Sequence, residues 1–292
     1  MVNITKGDTK ILGVIGNPIE HSFSPQIHNT ICKHLKLNYT YVPFNVKEKD
    51  LEYAVKGLSA LSVEGFNVTI PHKNSIMKYL DKISDDALLI GAVNTVKNVD
   101  NKWYGYNTDG DGFIRSLSAY DVDVKGKKVV ILGAGGAAKA VAVKIAMQGA
   151  ASIIILNRTL DKAKEICSVI NKNVADIASI DMLNAENIKI YGEIADIIIH
   201  TTPIGMYPNN EQTLVQQFDF IRKDTVVCDL IYNPAKTVLL KKAQQAGCKV
   251  INGWGMLIYQ AVNAFEIWTG KKASHDVIAL LTKQNTCTME SE

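Results

Sequence analysis

The chain has 292 residues, 47% hydrophobic and 21% charged, with a formal net charge of +3, so it has room for one large domain or two medium ones and a sizeable core. The near-balance of basic and acidic residues excludes a nucleic-acid footprint. The five cysteines (Cys32, Cys167, Cys228, Cys248, Cys287) are an odd number with no C-x-x-C pair, which favours reduced thiols over a disulfide framework. No apolar run approaches the ~20 residues of a membrane span, and residues 1–10 lack an apolar signal region. A soluble, cytoplasmic protein is expected, with neither a membrane nor a nucleic-acid partner.

Strand and helix patterns alternate almost throughout, which predicts an α/β fold with mostly parallel sheets. ILGVIG (11–16) reads as a buried strand closed by glycine. Ser24 then reads as an N-cap with Pro25 at the first helical position, and Ile27, Ile31 and Leu35 recur at four-residue spacing behind it. YTYVPFNV (39–46) is a second strand, and a helix is predicted around 49–60. In GFNVTI (65–70), Phe66, Val68 and Ile70 alternate with Asn67 and Thr69, the pattern of a third strand. Pro71 ends it, and Lys73 opens a predicted helix over 73–80. Residues 91–107 read as two short strands around an Asp-Asn turn. A helix over 111–119, with Phe113, Ile114 and Leu117 on one face, leads into a new unit.

That unit opens with an apolar strand (129–132) running into Gly133-Ala134-Gly135-Gly136-Ala137-Ala138, then a helix, then the strand SIIIL (152–156). G-x-G-x-x-A between strand and helix has the spacing of a dinucleotide fingerprint. Glycines there let backbone N–H groups approach a pyrophosphate, and the helix N-terminus adds partial positive charge. A tight crossover turn that binds nothing is the plainer alternative. The second strand runs into Asn157-Arg158-Thr159, with Lys162 soon after, where an NAD-tuned fold usually places Asp or Glu for the ribose hydroxyl. A guanidinium and an ammonium suit a 2′-phosphate, so NADP(H) is the expected cofactor. Asp161 weighs slightly against that reading, and Arg158 as a merely solvated charge is its alternative.

Four polar clusters lie outside this unit. Ser22 and Ser24 are two residues apart, as are Asn67 and Thr69, so an extended backbone would point each pair one way. Asn94 lies in GAVNT and Asp109 in YNTDG. Such short groups suit a polyhydroxylated small molecule. Ser24 and Asp109 as plain helix caps are the competing readings. A carbonyl reduced by hydride needs a proton at its oxygen, which a lysine ammonium can deliver. Lys73 and Asp109 are therefore the candidate acid–base pair. A cation at a helix N-terminus is otherwise poorly placed. His72 has a suitable ordinary pKa, but neighbours in an extended segment point apart and the work is placed on Lys73.

HSFSP, GFNVTIPHK, GAVNT, GYNTDG, GAGGAA, NRT and NGWGMLIYQA occur in this order, and the chain from about 11 to 270 resembles the shikimate dehydrogenases, NADP-dependent enzymes of aromatic amino-acid biosynthesis. The resemblance implies a two-domain α/β enzyme: a substrate domain over 1–108 and 253–292, and a Rossmann-type doubly wound NADP-binding domain over 109–252. It implies the reduction of 3-dehydroshikimate to shikimate. It assigns Lys73 and Asp109 to catalysis, Ser22, Ser24 and Tyr232 to the substrate carboxylate, and Asn67, Thr69, Asn94 and Gln260 to the rest of the substrate. It assigns Gly133, Ala134, Gly135, Gly136 and Ala137 to the pyrophosphate and Asn157, Arg158, Thr159 and Lys162 to the adenosine phosphate. Leu230 and Gly253 would line the nicotinamide, with Asp85 a further position near the cofactor and Met206 completing its wall. Lys162 stands where many NADP-specific members carry arginine, which implies a looser grip. No metal is implied, and members of the family occur as monomers and as homodimers. The rival readings are a quinate/shikimate dehydrogenase with relaxed NAD or NADP use and a non-catalytic nucleotide sensor.

Overall fold

In the computed structural model, which describes residues 5–289, β1 (Lys10–Gly16) is buried from Leu12 onwards. It has a parallel neighbour on each side, β2 (Tyr39–Asn45) and β3 (Gly65–Val68). A strand covered on both faces needs a continuous apolar run rather than alternation, and ILGVI supplies one. Helix α1 (Ser24–His34) joins β1 to β2, and α2 (Leu51–Ala60) joins β2 to β3. Beyond β3 come β4 (Lys82–Ile83), α3 (Asp85–Ile90), β5 (Thr95–Val99) and β6 (Lys102–Tyr106).

The sheet order is β2-β1-β3-β5-β6-β4. β5 runs antiparallel to both β3 and β6 and the other pairs are parallel, so this sheet is mostly parallel with one reversed strand. The cause is local: Asp100 and Asn101, at φ 52° and 61°, form a two-residue turn, and such a turn can join only antiparallel strands. One core packs Ile15, Phe66, Val68, Val96 and Trp103 against Leu51, Val55 and Leu58 of α2.

Three local expectations change in this unit. The third strand stops at Val68: Thr69 still donates its amide to Ile15 O (3.0 Å), but Ile70 O turns to accept from Asn17 N (3.0 Å). The helix over 73–80 is only a 3-10 turn at Ser75–Tyr79. Lys73 O accepts from Val93 N (2.8 Å), a bond to a distant segment rather than along a helix. Ser24 is the first helical residue and not the cap; Phe23 O accepts the first helical bond, from Ile27 N (3.1 Å).

The second unit starts with α4 (Asp109–Ser118), so Asp109 is the first residue of the helix rather than a cap ahead of it. An alternating series follows: β7 (Lys128–Leu132), α5 (Gly136–Met147), β8 (Ser152–Asn157), α6 (Leu160–Asn173), β9 (Ala178–Met182), α7 (Ala185–Gly192) and β10 (Ile197–His200). β11 (Val226–Asp229), α8 (Val238–Gln245) and β12 (Lys249–Ile251) complete it. The strands are ordered β9-β8-β7-β10-β11-β12 and all are parallel. This is the doubly wound dinucleotide order, whose topological switch lies between the first and fourth strands, here β7 and β10.

Two helices close the chain, α9 (Trp254–Thr269) and α10 (His275–Met289). The first compact unit runs to Thr108 and resumes over Ile258–Gln284, and the second spans Asp109–Leu257, so the chain changes unit inside α9. Trp268 of α9 belongs to the first unit, where its Nε1 donates to Val96 O (2.8 Å). Among the described residues no helix is long and apolar enough to cross a membrane.

Candidate functional site

In the first unit, several of the polar residues singled out from sequence meet through buried side-chain bonds. Asn67 is 6% exposed; its Nδ2 donates to Asn94 O and to Thr95 Oγ1 (both 3.0 Å). Its Oδ1 accepts from the Tyr41 hydroxyl at 2.8 Å. Ser22 Oγ accepts from Ser24 N (3.3 Å). Asn94, likewise buried, donates from Nδ2 to Thr108 Oγ1 (3.0 Å) and accepts at Oδ1 from Thr108 N (2.8 Å). Asn67 and Asn94 thus share one network, in which Tyr41, Thr95 and Thr108 are the links that sequence reasoning missed, while Ser22 and Ser24 are joined to each other. Tyr41 sits in an apolar strand and reads as core; its signal is that a buried phenol needs a partner for its hydroxyl.

Thr69, Lys73 and Gln260 are half-buried in the same unit, and Asp85 is exposed in the first turn of α3. Two residues fix the segment carrying Lys73. His72 is fully buried with Nε2 facing Val46 O at 2.6 Å, and Asn74 Nδ2 donates to Gly91 O (2.6 Å). His72 is therefore packed into the core and is not presented to a ligand. Asp109 opens α4 of the second unit, so the candidate pair is divided between the units.

The second unit holds the other candidates around the β7–β10 switch. Gly133 has φ +114°, and a Cβ there would lie 2.5 Å from Thr201 Oγ1; only glycine fits this turn. Beside it Gly135, the N-cap of α5, makes no side-chain cap bond, and α5 has no acid in its first turn. A Cβ on Gly135 or Gly136 would meet nothing within 4 Å. Open space before an uncapped helix N-terminus fits an anionic pyrophosphate, with Ala134 and Ala137 completing the turn. After β8, Asn157 Nδ2 donates to Thr159 O (2.7 Å), closing a turn that exposes Arg158. Lys162 is exposed nearby, and Asp161 pairs with Lys164 (3.3 Å). These residues fit a phosphorylated ribose.

A further element escaped the sequence reading. His200 and Asp229 end β10 and β11 side by side, each the one strongly polar residue closing an apolar run, and that position was the available signal. Asp229 Oδ1 can only accept, so His200 Nδ1 donates to it (3.0 Å). Nε2 then accepts from the Thr202 hydroxyl (2.5 Å). Asp229 also accepts from Ile231 N (3.0 Å) and from the Thr237 hydroxyl (2.7 Å), which caps α8. This chain fixes Leu230, whose N donates to His200 O (3.0 Å). Gly253 packs directly against it: a Cβ there would lie 2.0 Å from Leu230 O. Tyr232 meets Trp254 edge-on at 6.2 Å, and burial pushes its phenol up.

Comparison with known proteins gives three consecutive matches along the chain: a shikimate dehydrogenase substrate-binding domain over residues 14–96, a shikimate/quinate 5-dehydrogenase domain over 116–230 and a shikimate 5′-dehydrogenase C-terminal domain over 253–279. The chain is 50% identical over 274 residues to shikimate dehydrogenase (NADP+) of Methanocaldococcus jannaschii, covering 92% of this chain and 95% of that one. It is 48% identical over 270 residues to the enzyme of the same name from Alkaliphilus oremlandii, covering 92% and 94%. A crystal structure of Listeria monocytogenes shikimate 5-dehydrogenase with shikimate and NAD superposes with a TM-score of 0.93 at 38% identity, over 97% of this chain and 99% of that one. With its two α/β units, its open glycine turn and this similarity over nearly its whole length, the chain belongs to the shikimate dehydrogenase family.

Proposed function

We propose that this protein catalyses the reversible, NADP-dependent reduction of 3-dehydroshikimate to shikimate, a step of aromatic amino-acid biosynthesis. The observation that carries the reading is the network Tyr41–Asn67–Asn94–Thr108, a buried set of uncharged donors and acceptors in the unit that also holds Lys73. It suits a small ring bearing hydroxyls. Ser22 and Ser24, with Tyr232, take the carboxylate; Thr69, Asn94 and Gln260 take hydroxyls, and Asn67 braces them. Lys73 polarises the carbonyl and gives its oxygen a proton, while Asp109 orients the ammonium and shares the substrate hydroxyl.

The pyrophosphate lies on residues 133–137 and the adenosine phosphate on Asn157, Arg158, Thr159 and Lys162, with Leu230, Gly253, Met206 and Asp85 about the remainder. When bound, the reduced cofactor supplies the hydride. The protein works in the cytoplasm on a small molecule, without nucleic acid or membrane, as a monomer or homodimer.

A second reading, a quinate/shikimate dehydrogenase with relaxed cofactor use, is favoured by the Listeria relative, whose structure holds NAD. Initial rates with shikimate or quinate, crossed with NADP+ or NAD+, separate them. A rate confined largely to shikimate with NADP+ is expected. Comparable rates with quinate or NAD+ would favour the second reading, and no rate in any combination would defeat both. Arg158→Ala is expected to narrow the preference for NADP+ over NAD+ by about 1.5–3 kcal/mol, the scale of a charged hydrogen bond. An unchanged cofactor ratio would place the phosphate site elsewhere.

A further inference from the structure

His200 closes β10 behind three isoleucines and is 2% exposed; its partner Asp229 is 1% exposed. Asp229 already accepts from Ile231 N and the Thr237 hydroxyl, so the carboxylate alone does not call for an imidazole here. The second ring nitrogen shows what the imidazole adds. Nε2 accepts from the hydroxyl of Thr202, which is half-buried in the loop beyond the strand. Thr202 Oγ1 in turn accepts from Ile204 N (3.3 Å), and Met206 N donates to Pro203 O (3.1 Å). The same loop borders the glycine turn. Thr201 sends both its amide and its hydroxyl to Leu132 O (both 2.9 Å), the residue immediately before Gly133. A Cβ on Gly133 would lie 2.9 Å from Thr202 Cγ2, so this methyl lies against the turn. Pro203 has no N–H with which to tie the chain further. Beyond Thr201 the loop is therefore held to the buried carboxylate through His200 and Thr202.

We propose that His200 is a positioning residue for the dinucleotide site: braced by Asp229, it fixes the Thr202 hydroxyl and with it the loop beside Gly133. The inference rests on the assignment of residues 133–137 to the pyrophosphate. Nδ1 gives its proton to Asp229, which can only accept, so Nε2 is left bare to take the proton of the threonine. Thr202 spends its one proton there and keeps its lone pairs for Ile204 N, so one hydroxyl is oriented from both sides.

Thr202→Val removes the hydroxyl and keeps a methyl against Gly133. It is expected to weaken NADPH binding about five- to tenfold, the effect of one neutral hydrogen bond, with KM for shikimate unchanged. Fluorescence titration of the protein with NADPH alone measures the first, and steady-state rates measure the second. His200→Asn keeps a donor for Asp229 but ends short of Thr202, and the same selective loss is expected from it. The double variant should add little, because both changes delete one bond. T202V leaves the buried pair intact, so it decides alone should H200N not fold. A merely structural bond would lower the urea midpoint and leave NADPH affinity at the wild-type value, which overturns the proposal. Additive losses in the double variant overturn it too, as does a rise in KM for shikimate as large as the loss of NADPH affinity. A wild-type protein that binds no NADPH would defeat the cofactor reading instead, before any variant is compared.

Discussion

Lys73→Ala is expected to lower turnover of shikimate with NADP+ by about 10²–10⁴-fold, the range of a positioned general acid–base group, while NADPH binding stays near wild type. The backbone at Lys73 is fixed by groups other than its own side chain. Its carbonyl accepts from Val93 N (2.8 Å), buried His72 precedes it and Asn74, bonded to Gly91 O, follows it. Truncation therefore removes the ammonium without releasing the segment, and the folded state should be preserved. Steady-state rates together with NADPH fluorescence titration test both halves of the expectation. A kcat within a few-fold of wild type would take Lys73 out of the proton-transfer step. A parallel loss of NADPH affinity would show instead that the substitution disturbs the fold.

Asp229→Ala is expected to destabilise the second unit by about 3–5 kcal/mol. Each buried donor left without an acceptor costs roughly 1–3 kcal/mol, and Asp229 serves three: His200 Nδ1, Ile231 N and the Thr237 hydroxyl. The side chain is wholly buried, so water does not replace it without opening the ends of β10 and β11. The same carboxylate fixes the α8 cap, because Thr237 accepts from Leu240 N while donating to Asp229. Urea unfolding followed by circular dichroism measures the loss. A fall below about 1 kcal/mol, the worth of a single ordinary hydrogen bond, would mean that these donors find other partners. The conservative Asp229→Asn keeps an acceptor oxygen and should lose less.

What sequence could read depended on how local the cause was. β7, β8 and α5 follow from an apolar run, a glycine turn and a second apolar run, all within about thirty residues. Asp100 and Asn101 likewise produced the predicted hairpin, because the turn's chemistry lies in the two residues themselves. The readings that changed had distant causes. Where a helix was expected over 73–80, Lys73 O bonds instead to Val93 N, twenty positions on. The third strand ends at Val68, and Ile70 O turns to accept from Asn17 N, more than fifty positions back.

The candidate site divides along the same line. Residue types and order named Ser22, Ser24, Asn67, Asn94, Lys73 and Asp109, since short polar groups at strand ends stand out in any sequence. Tyr41 and the His200–Asp229 pair did not stand out, because each resembles ordinary core or a strand end until its partners are known. The sequence by itself determined the two alternating α/β patterns, the dinucleotide turn with Arg158 behind it and the family to which the chain belongs. Only the tertiary structure decided that one strand of the first sheet is reversed, that Tyr41 bonds Asn67, and that Asp229 gathers three donors at the end of β11. Those features depend on hydrogen bonds between residues far apart in the chain, whose energies take effect only when folding has brought buried donors and acceptors together out of water.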